Sequence, residues 1–170
     1  GGVYFALPPQ TQPTGKLYVT GVGVRETLTL RDASRIELNT STALRIEGTG
    51  AGRTVWLDKG EAYFQIVHNK AHPFVVYAGN HRITDLGTKF LVRRNDQTLR
   101  VALFEGKARF DMEDSRGSQE ALLNPGDVVI ATANSLSVAE HPREDLKDEL
   151  GWQRGLLIFR HATLAEAAAE

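Results

Sequence analysis

The stretch RTVWLDKGEAYFQIVHNKAHPFVVYAG, residues 53–79, contains two runs of β-forming residues on either side of Gly60. After this glycine, Ala62, Phe64 and Ile66 occupy every second position, so they would share one face of an extended strand. Glycine accepts the positive φ that the second position of a tight turn often needs. The stretch therefore predicts a β-hairpin whose two-residue turn contains Gly60.

The same order of strand, glycine turn and strand occurs three more times along the chain. The predicted strand pairs are 55–58 with 61–67, 82–85 with 88–93, 101–104 with 107–110, and 122–124 with 127–131. The predicted turn residues are Gly60, Glu61, Gly87, Glu105, Gly106, Gly126 and Asp127. This repetition predicts an all-β domain of stacked hairpins, either a β-sandwich or a solenoid-like domain, and periodicity alone does not choose between them.

Composition narrows the functional classes. The chain has 170 residues, of which 41% are hydrophobic and 24% charged, as in ordinary globular domains. Twenty basic and 21 acidic residues give a net charge of -1, so no basic excess favours nucleic-acid binding. There are no cysteines, which excludes disulfides, thiolate metal sites and a cysteine nucleophile.

Two histidines in the opening stretch are candidate metal ligands. His68 and His72 are four residues apart, a spacing that would place them on one side of a strand. A third ligand would have to come from Glu61, His81 or Asp85. The residues between the histidines are typical of a turn, and no compact ligand motif is present. We therefore expect no metal and no other cofactor.

Two alternative functions, a cupin-like metal enzyme and a glycan-binding module, have some support from short motifs. Pro125-Gly126-Asp127 occurs at turns of cupin barrels, but the clustered His-x-His of a cupin metal site is missing, so a tight turn is the favoured interpretation. Trp56, Tyr63 and Tyr77 would form a glycan-binding platform if they were exposed on a sheet, although packing is the commoner role of such aromatics. No nucleophile elbow is present, and we predict that the chain is not an enzyme.

The pattern changes near the C-terminus. Residues 141–151 are charged, begin with proline and acidic residues and end at glycine, which indicates a short helix or a linker. Residues 155–160 form an apolar strand pattern, and Thr163 with Glu166 forms a capping box that opens an alanine-rich helix. We interpret residues 152–170 as a truncated β-α unit.

Six blocks of the sequence, taken in order, resemble the periplasmic domain of the FecR family. Each block alone is weak evidence, but six in the same order are fairly specific. They are LRDASRIELNTSTALRI (30–46), RTVWLDKGEAYFQIVHNKAHPFVVYAG (53–79), ITDLGTKFLVRR (83–94), VALFEGKARF (101–110), LLNPGDVVIAT (122–132) and WQRGLLIFRHATLAEAAAE (152–170). One departure is Ala33, which stands where the family usually has glycine in an Asp-Gly-Ser turn.

The resemblance implies a function in cell-surface signalling. FecR-like proteins are single-pass inner-membrane anti-sigma regulators of Gram-negative bacteria, and their periplasmic part senses the state of a TonB-dependent outer-membrane transporter. The implied partners are that transporter's N-terminal signalling domain and, through a cytoplasmic segment outside this sequence, an extracytoplasmic-function sigma factor. Iron uptake is the usual process that such regulators control.

The resemblance also implies a division of the chain. Residues 1–14 would be a lead-in from the membrane, 15–140 the FecR-like β-domain, 141–151 a linker or short helix, and 152–170 the start of an STN-like domain. We expect the apolar C-terminal strand either to be disordered or to pack against a neighbouring molecule, the transporter or a second copy of this protein. The predicted partner-binding residues are Trp152, Leu156, Leu157, Ile158, Phe159 and Leu164.

Overall fold

The computed structural model describes residues 15–47, 53–85 and 87–140, and all regular structure in these ranges is β-strand. The all-β prediction is confirmed. No helix long and apolar enough to cross a membrane occurs in these ranges. The strands are β1 (Lys16–Val19), β2 (Glu26–Thr29), β3 (Arg35–Leu38), β4 (Ala43–Ile46), β5 (Thr54–Gln65), β6 (Phe74–Ala78), β7 (His81–Asp85), β8 (Lys89–Arg94), β9 (Leu99–Glu105), β10 (Ala108–Asp114), β11 (Gly117–Leu123), β12 (Asp127–Ala131) and β13 (Leu136–Glu140).

The strands form two sheets that share β5. The first sheet has the order β1-β4-β5-β6-β7-β10-β11, and the second has the order β2-β3-β5-β8-β9-β12-β13. Every pairing is antiparallel except β5 with β6. Because the sheets are continuous through β5 and pack face to face, the domain is a β-sandwich that approaches a flattened barrel.

The core lies between the two sheets and receives every second side chain of most strands. Phe64 is at its centre, stacked on Phe90 with ring centroids 4.8 Å apart and tilted against Phe74 at 5.9 Å. All three rings are fully buried. Ala62 and Ile66 lie on the same side of β5 as Phe64, which is the face that their alternation predicts.

The predicted hairpin at Gly60 is wrong. β5 continues through this glycine, whose φ of 91° bends the strand. Residues before the bend pair with β4 and β6 in the first sheet, and residues after it pair with β3 and β8 in the second. The Thr42 hydroxyl sits in the bend, where it accepts a hydrogen bond from the Glu61 N–H (3.0 Å) and donates one to the Glu61 carbonyl (3.1 Å).

The other three predicted hairpins are also wrong, for the same reason. β7 and β8, β9 and β10, and β11 and β12 do not pair; in each case the two strands belong to different sheets. Gly87, Gly106 and Gly126 do have positive φ values, of 106°, 87° and 98°. A sharp change of chain direction needs a positive φ whether the chain forms a hairpin or crosses to the other sheet. These glycines therefore lie where the chain changes sheet.

The true hairpins lie between these crossings and alternate between the sheets. β6–β7, β8–β9, β10–β11 and β12–β13 are each antiparallel neighbours. The first of them has a two-residue loop, Gly79-Asn80, between the paired residues Ala78 and His81. A Gly-Asn pair between two β-forming runs is a hairpin signal that the sequence interpretation missed.

Ala33 keeps the turn for which the family usually uses glycine. Its φ is 70°, in the left-handed region, and its N–H donates to the Leu30 carbonyl at 3.0 Å. The neighbouring Ser34 N–H donates to Asp32 Oδ1 at 2.9 Å, which stabilises the same turn. The turn is therefore formed at the cost of some strain at the alanine Cβ.

Relief of this strain is testable. We expect Ala33→Gly to raise the free energy of unfolding by about 0.5–1 kcal/mol, because the strain removed exceeds the entropy that glycine adds to the unfolded chain. Ala43→Gly in β4 is the matched control and should lower stability, since it removes a buried methyl group and frees the backbone of the unfolded chain. Urea denaturation measures both changes, and a destabilised Ala33→Gly variant would contradict the strain argument.

Candidate interaction surface

The residues considered as candidate metal ligands do not form a common site. His68 and His72 lie in the exposed loop between β5 and β6. Glu61 is on β5, where its carboxylate accepts from Asn39 Nδ2 at 2.9 Å and lies 3.9 Å from the Arg93 guanidinium. Within the ranges 15–47, 53–85 and 87–140, no three histidine or acidic side chains are arranged to hold a metal ion.

His81 has a structural position at the other end of the sandwich. Its Nδ1 lies 3.1 Å from the Ala78 carbonyl and its Nε2 lies 3.1 Å from the Thr132 carbonyl. Burial lowers the pKa of this histidine, and nearby Arg94 lowers it further, while the two carbonyl contacts act in the opposite direction. The ring therefore links the β6–β7 hairpin to the loop between β12 and β13.

Arg53 holds the loop that contains His68 and His72. Its guanidinium donates to the backbone carbonyls of His72 (2.7 Å) and Val67, and its Nε lies 3.1 Å from Asp32 Oδ2. It also lies over the Phe74 ring, 5.8 Å from the centroid. Charge-assisted bonds of this kind fix the loop backbone. The loop is thus part of the scaffold.

Asp85 is a buried carboxyl group at the crossing from β7 to β8. It is 1% exposed, and its Oδ1 accepts from the Gly87 N–H at 2.6 Å. Burial raises its pKa to about 6, although the bond from Gly87 and the charge of Arg53 oppose the shift. The carboxylate therefore holds the crossing at an energetic cost when it is ionised.

This cost predicts a pH dependence. Because the folded-state pKa lies above the unfolded one, the contribution of Asp85 to stability is largest below about pH 4 and is lost as the pH rises through about 6. Asp85→Asn keeps an acceptor for the Gly87 N–H. We expect the free energy of unfolding of this variant, measured relative to the wild type, to be higher at pH 7.5 than at pH 4.5. The difference should be about 2 kcal/mol. Equal effects at both pH values in urea denaturation would contradict this.

The aromatic residues considered for glycan binding are mostly covered. Trp56 and Tyr77, on the first sheet, stack on each other with centroids 5.7 Å apart. Trp56 is 6% exposed and Tyr63, on the second sheet, is 4% exposed. A sugar-stacking platform needs an exposed ring face. Packing is therefore the interpretation that these side chains favour.

Exposed apolar side chains lie along one edge of the first sheet. Leu17 and Val19 lie on β1, the edge strand of the first sheet, and Val22 and Val24 follow in its connection to β2. All four are exposed, Val22 to 91%. Among the described residues β1 pairs only with β4, so its other side is an edge that could accept a further strand.

Hydrogen bonds hold this edge in a defined shape. The Thr20 hydroxyl donates to the Asn39 carbonyl at 2.6 Å and accepts from the Thr42 N–H at 2.9 Å. The Gly23 N–H donates to Thr40 Oγ1 at 2.7 Å. We call Leu17, Val19, Val22 and Val24 the N-terminal apolar edge. The sequence interpretation did not identify it, although the run VTGVGV (19–24), with three valines and no charge, was a usable signal.

The comparison with known families decides the assignment. The model of the FecR protein family matches residues 16–109, from β1 into β10. The chain belongs to the FecR family. The matched FecR region includes the N-terminal apolar edge, the bent strand β5 and the crossings between the sheets at Gly87 and Gly106. No functionally curated protein matches this chain.

Solved structures agree with the fold. Two crystal structures of a "putative anti-sigma factor" from Parabacteroides distasonis superpose on this FecR chain with a TM-score of 0.69 and 23% sequence identity. The similarity covers 79% of this chain and 64% of theirs, so the chain spans just under two thirds of their length. At this identity the likeness establishes the shared architecture.

The predicted partner-binding residues cannot be placed. Trp152, the run 156–159 and Leu164 all lie outside the described residues. The same holds for the predicted divisions 1–14, 141–151 and 152–170.

Proposed function

We propose that this chain is the periplasmic signal-transducing part of a FecR-type anti-sigma regulator and that it acts by protein–protein contact. The observation that carries the proposal is the FecR family match over residues 16–109, and the likeness to structures described as anti-sigma factors supports it. Through this part, the regulator relays the ligand-bound state of a TonB-dependent transporter to an extracytoplasmic-function sigma factor. The proposal assigns no catalytic reaction to the chain.

The architecture suits a relay of this kind. Three buried polar side chains, Arg53, His81 and Asp85, are tied into the sandwich by hydrogen bonds to backbone atoms. A scaffold held in this way keeps its surfaces in a constant geometry, so contacts at its edges can be specific. The N-terminal apolar edge is a separate exposed apolar surface on an edge strand, and the experiment below tests it as the alternative contact.

We place the contact with the transporter's N-terminal signalling domain in the C-terminal region, residues 152–170. Four consecutive apolar residues, 156–159, would need cover on both faces of a strand, and a signalling domain that binds there would supply part of that cover. In the intact regulator this region would complete an STN-like domain. Self-association through the same strand is the other way to cover it.

A binding experiment with the transporter's signalling domain tests the proposal. The double variant Leu157→Asp, Phe159→Asp should weaken binding by at least about tenfold, because charges would replace the apolar contact. Val22→Asp on the N-terminal apolar edge is the matched control and should bind normally. A chain that ends at Glu140 should also lose binding. Equal binding by the shortened and complete chains would refute the C-terminal assignment, and loss in Val22→Asp would move the contact to the N-terminal apolar edge.

A further inference from the structure

Four residues form a second apolar cluster on the outer face of the second sheet. They are direct neighbours across four adjacent strands and face away from the core, since Phe64, Phe90 and Val129 beside them face into it. We call this cluster the outer row; its members are Tyr63, Leu91, Ala102 and Val128.

The side chains of the outer row are buried, although they point away from the core between the two sheets. Its members are between 1% and 4% exposed, and Glu37, the neighbour of Tyr63 on β3, is 2% exposed. Burial also raises the pKa of the Tyr63 hydroxyl, and the charges of Glu37 and Glu105 add to this effect. All strands of the described ranges belong to the two sheets, so none of them forms a layer over this row. Phe104 on β9 packs edge-on against Tyr63, with ring centroids 6.0 Å apart, but one ring does not cover a row that crosses four strands. Something other than these strands must complete the cover.

We propose that residues 141–151, the segment that directly follows β13, pack across the outer row as a third layer. The chain leaves the second sheet beside this row: Ala139 is the partner of Val128, and Glu140 is the partner of Asp127. The first residue of the segment is therefore one position beyond a strand that already borders the row.

The segment has a suitable length and pattern. The row spans three inter-strand distances, about 14 Å. Nine helical residues, 142–150, would span about 13 Å. In such a helix Leu146 and Leu150 are one turn apart on the same face, with Pro142 one turn before them. This is the apolar stripe that a covering helix needs.

The charges are complementary as well. Arg93 and Arg100 are direct partners across β8 and β9, on the same outer face as the row. Burial and the charge of Arg93 lower the pKa of Arg100, as expected for two adjacent guanidinium groups. The proposed helix carries four acidic residues and two basic ones, so its net charge is -2; they are Glu144, Asp145, Asp148 and Glu149 with Arg143 and Lys147. Arg93 also lies 3.9 Å from the Glu61 carboxylate, so the excess of positive charge on this face is small.

The other end of the chain is a poorer match. Residues 1–14 contain no charged side chain, and they lead into β1, which belongs to the first sheet. The acidic segment is therefore the better occupant. If residues 141–151 pack on the outer row, they fix where residues 152–170 begin relative to the sandwich. This holds whether or not the proposed function is correct.

The absence of cysteine makes a labelling experiment clean. In the complete chain, a thiol introduced by Ala102→Cys should react slowly with a maleimide. Adding Leu146→Asp and Leu150→Asp should raise its labelling rate at least tenfold. Leu122→Cys is the control, because Leu122 is 71% exposed on the first sheet and should react quickly in both backgrounds. Ala102→Cys that labels as fast as Leu122→Cys in the otherwise unchanged chain would overturn the proposal.

A second measurement does not depend on disruptive charges. A photoreactive benzoylphenylalanine at position 146 of the complete chain should cross-link, within the same molecule, to peptides that contain Leu91, Ala102 or Val128. Cross-links to the first sheet, or only to another molecule, would overturn the proposal. A third outcome would also overturn the proposal. In it, Ala102→Cys still labels slowly when Leu146→Asp and Leu150→Asp are present, but labels quickly when residues 1–14 are removed.

Discussion

Gly60→Val is expected to lower the free energy of unfolding by about 3 kcal/mol or more, which corresponds to a fall in Tm of about 6–12 °C. Two effects add at this position. A β-branched residue is strained at a φ of 91°. In addition, a Cβ would come within 2.6 Å of the Thr42 Cα and still nearer to its hydroxyl. Thr42 is buried, and its hydroxyl is hydrogen-bonded to both the N–H and the carbonyl of Glu61. It therefore has little room to move.

Two other glycines separate these effects. Gly117 also has a positive φ, 113°, but a Cβ there would meet nothing within 4 Å, so Gly117→Val should cost only the backbone strain, about 1–2 kcal/mol. Gly21 has open space and no unusual φ, so Gly21→Val should be nearly neutral. Thermal and urea denaturation give the order of the three variants. Equal stability of Gly60→Val and Gly21→Val would show that β5 does not bend through a tight contact with Thr42.

Phe64→Ala is expected to cost about 3–5 kcal/mol, the usual range for removing a buried ring. Phe64 is the ring that both Phe90 and Phe74 contact, and it is 0% exposed. It lies in the part of β5 that pairs with β3 and β8, so the cavity would open at the centre of the second sheet. Close packing allows only partial collapse around such a cavity.

The measurement is again the free energy of unfolding in urea. Phe64→Leu should cost much less than Phe64→Ala, because it keeps most of the buried volume. Val22→Ala, at a position that is 91% exposed, should change stability by no more than about 0.5 kcal/mol. A loss below about 1 kcal/mol in Phe64→Ala would mean that the two sheets do not meet at this ring.

The candidate sites show where sequence interpretation reaches its limit. His68 and His72 were candidate ligands because their four-residue spacing suits one side of a strand, and Glu61, His81 or Asp85 would have had to supply a third ligand. In the fold, His81 lies at the hairpin end and the first two histidines lie in a loop held by Arg53. Spacing along the chain could not reveal this, because the loop conformation depends on Arg53, which precedes β5 and bonds to loop carbonyls 14 and 19 residues further along the chain.

The sequence by itself determined the strand pattern and the places where the backbone needs glycine. Both are local properties: the two-residue period assigns Ala62 and Phe64 to one face, and a positive φ excludes most side chains at Gly60 and Gly87. Only the tertiary structure decided which strands pair, and therefore that these glycines are crossings between two sheets. It also decided that Tyr63 is buried on an outer face. Pairing depends on backbone hydrogen bonds between strands distant in sequence, and the same local pattern satisfies several arrangements of them.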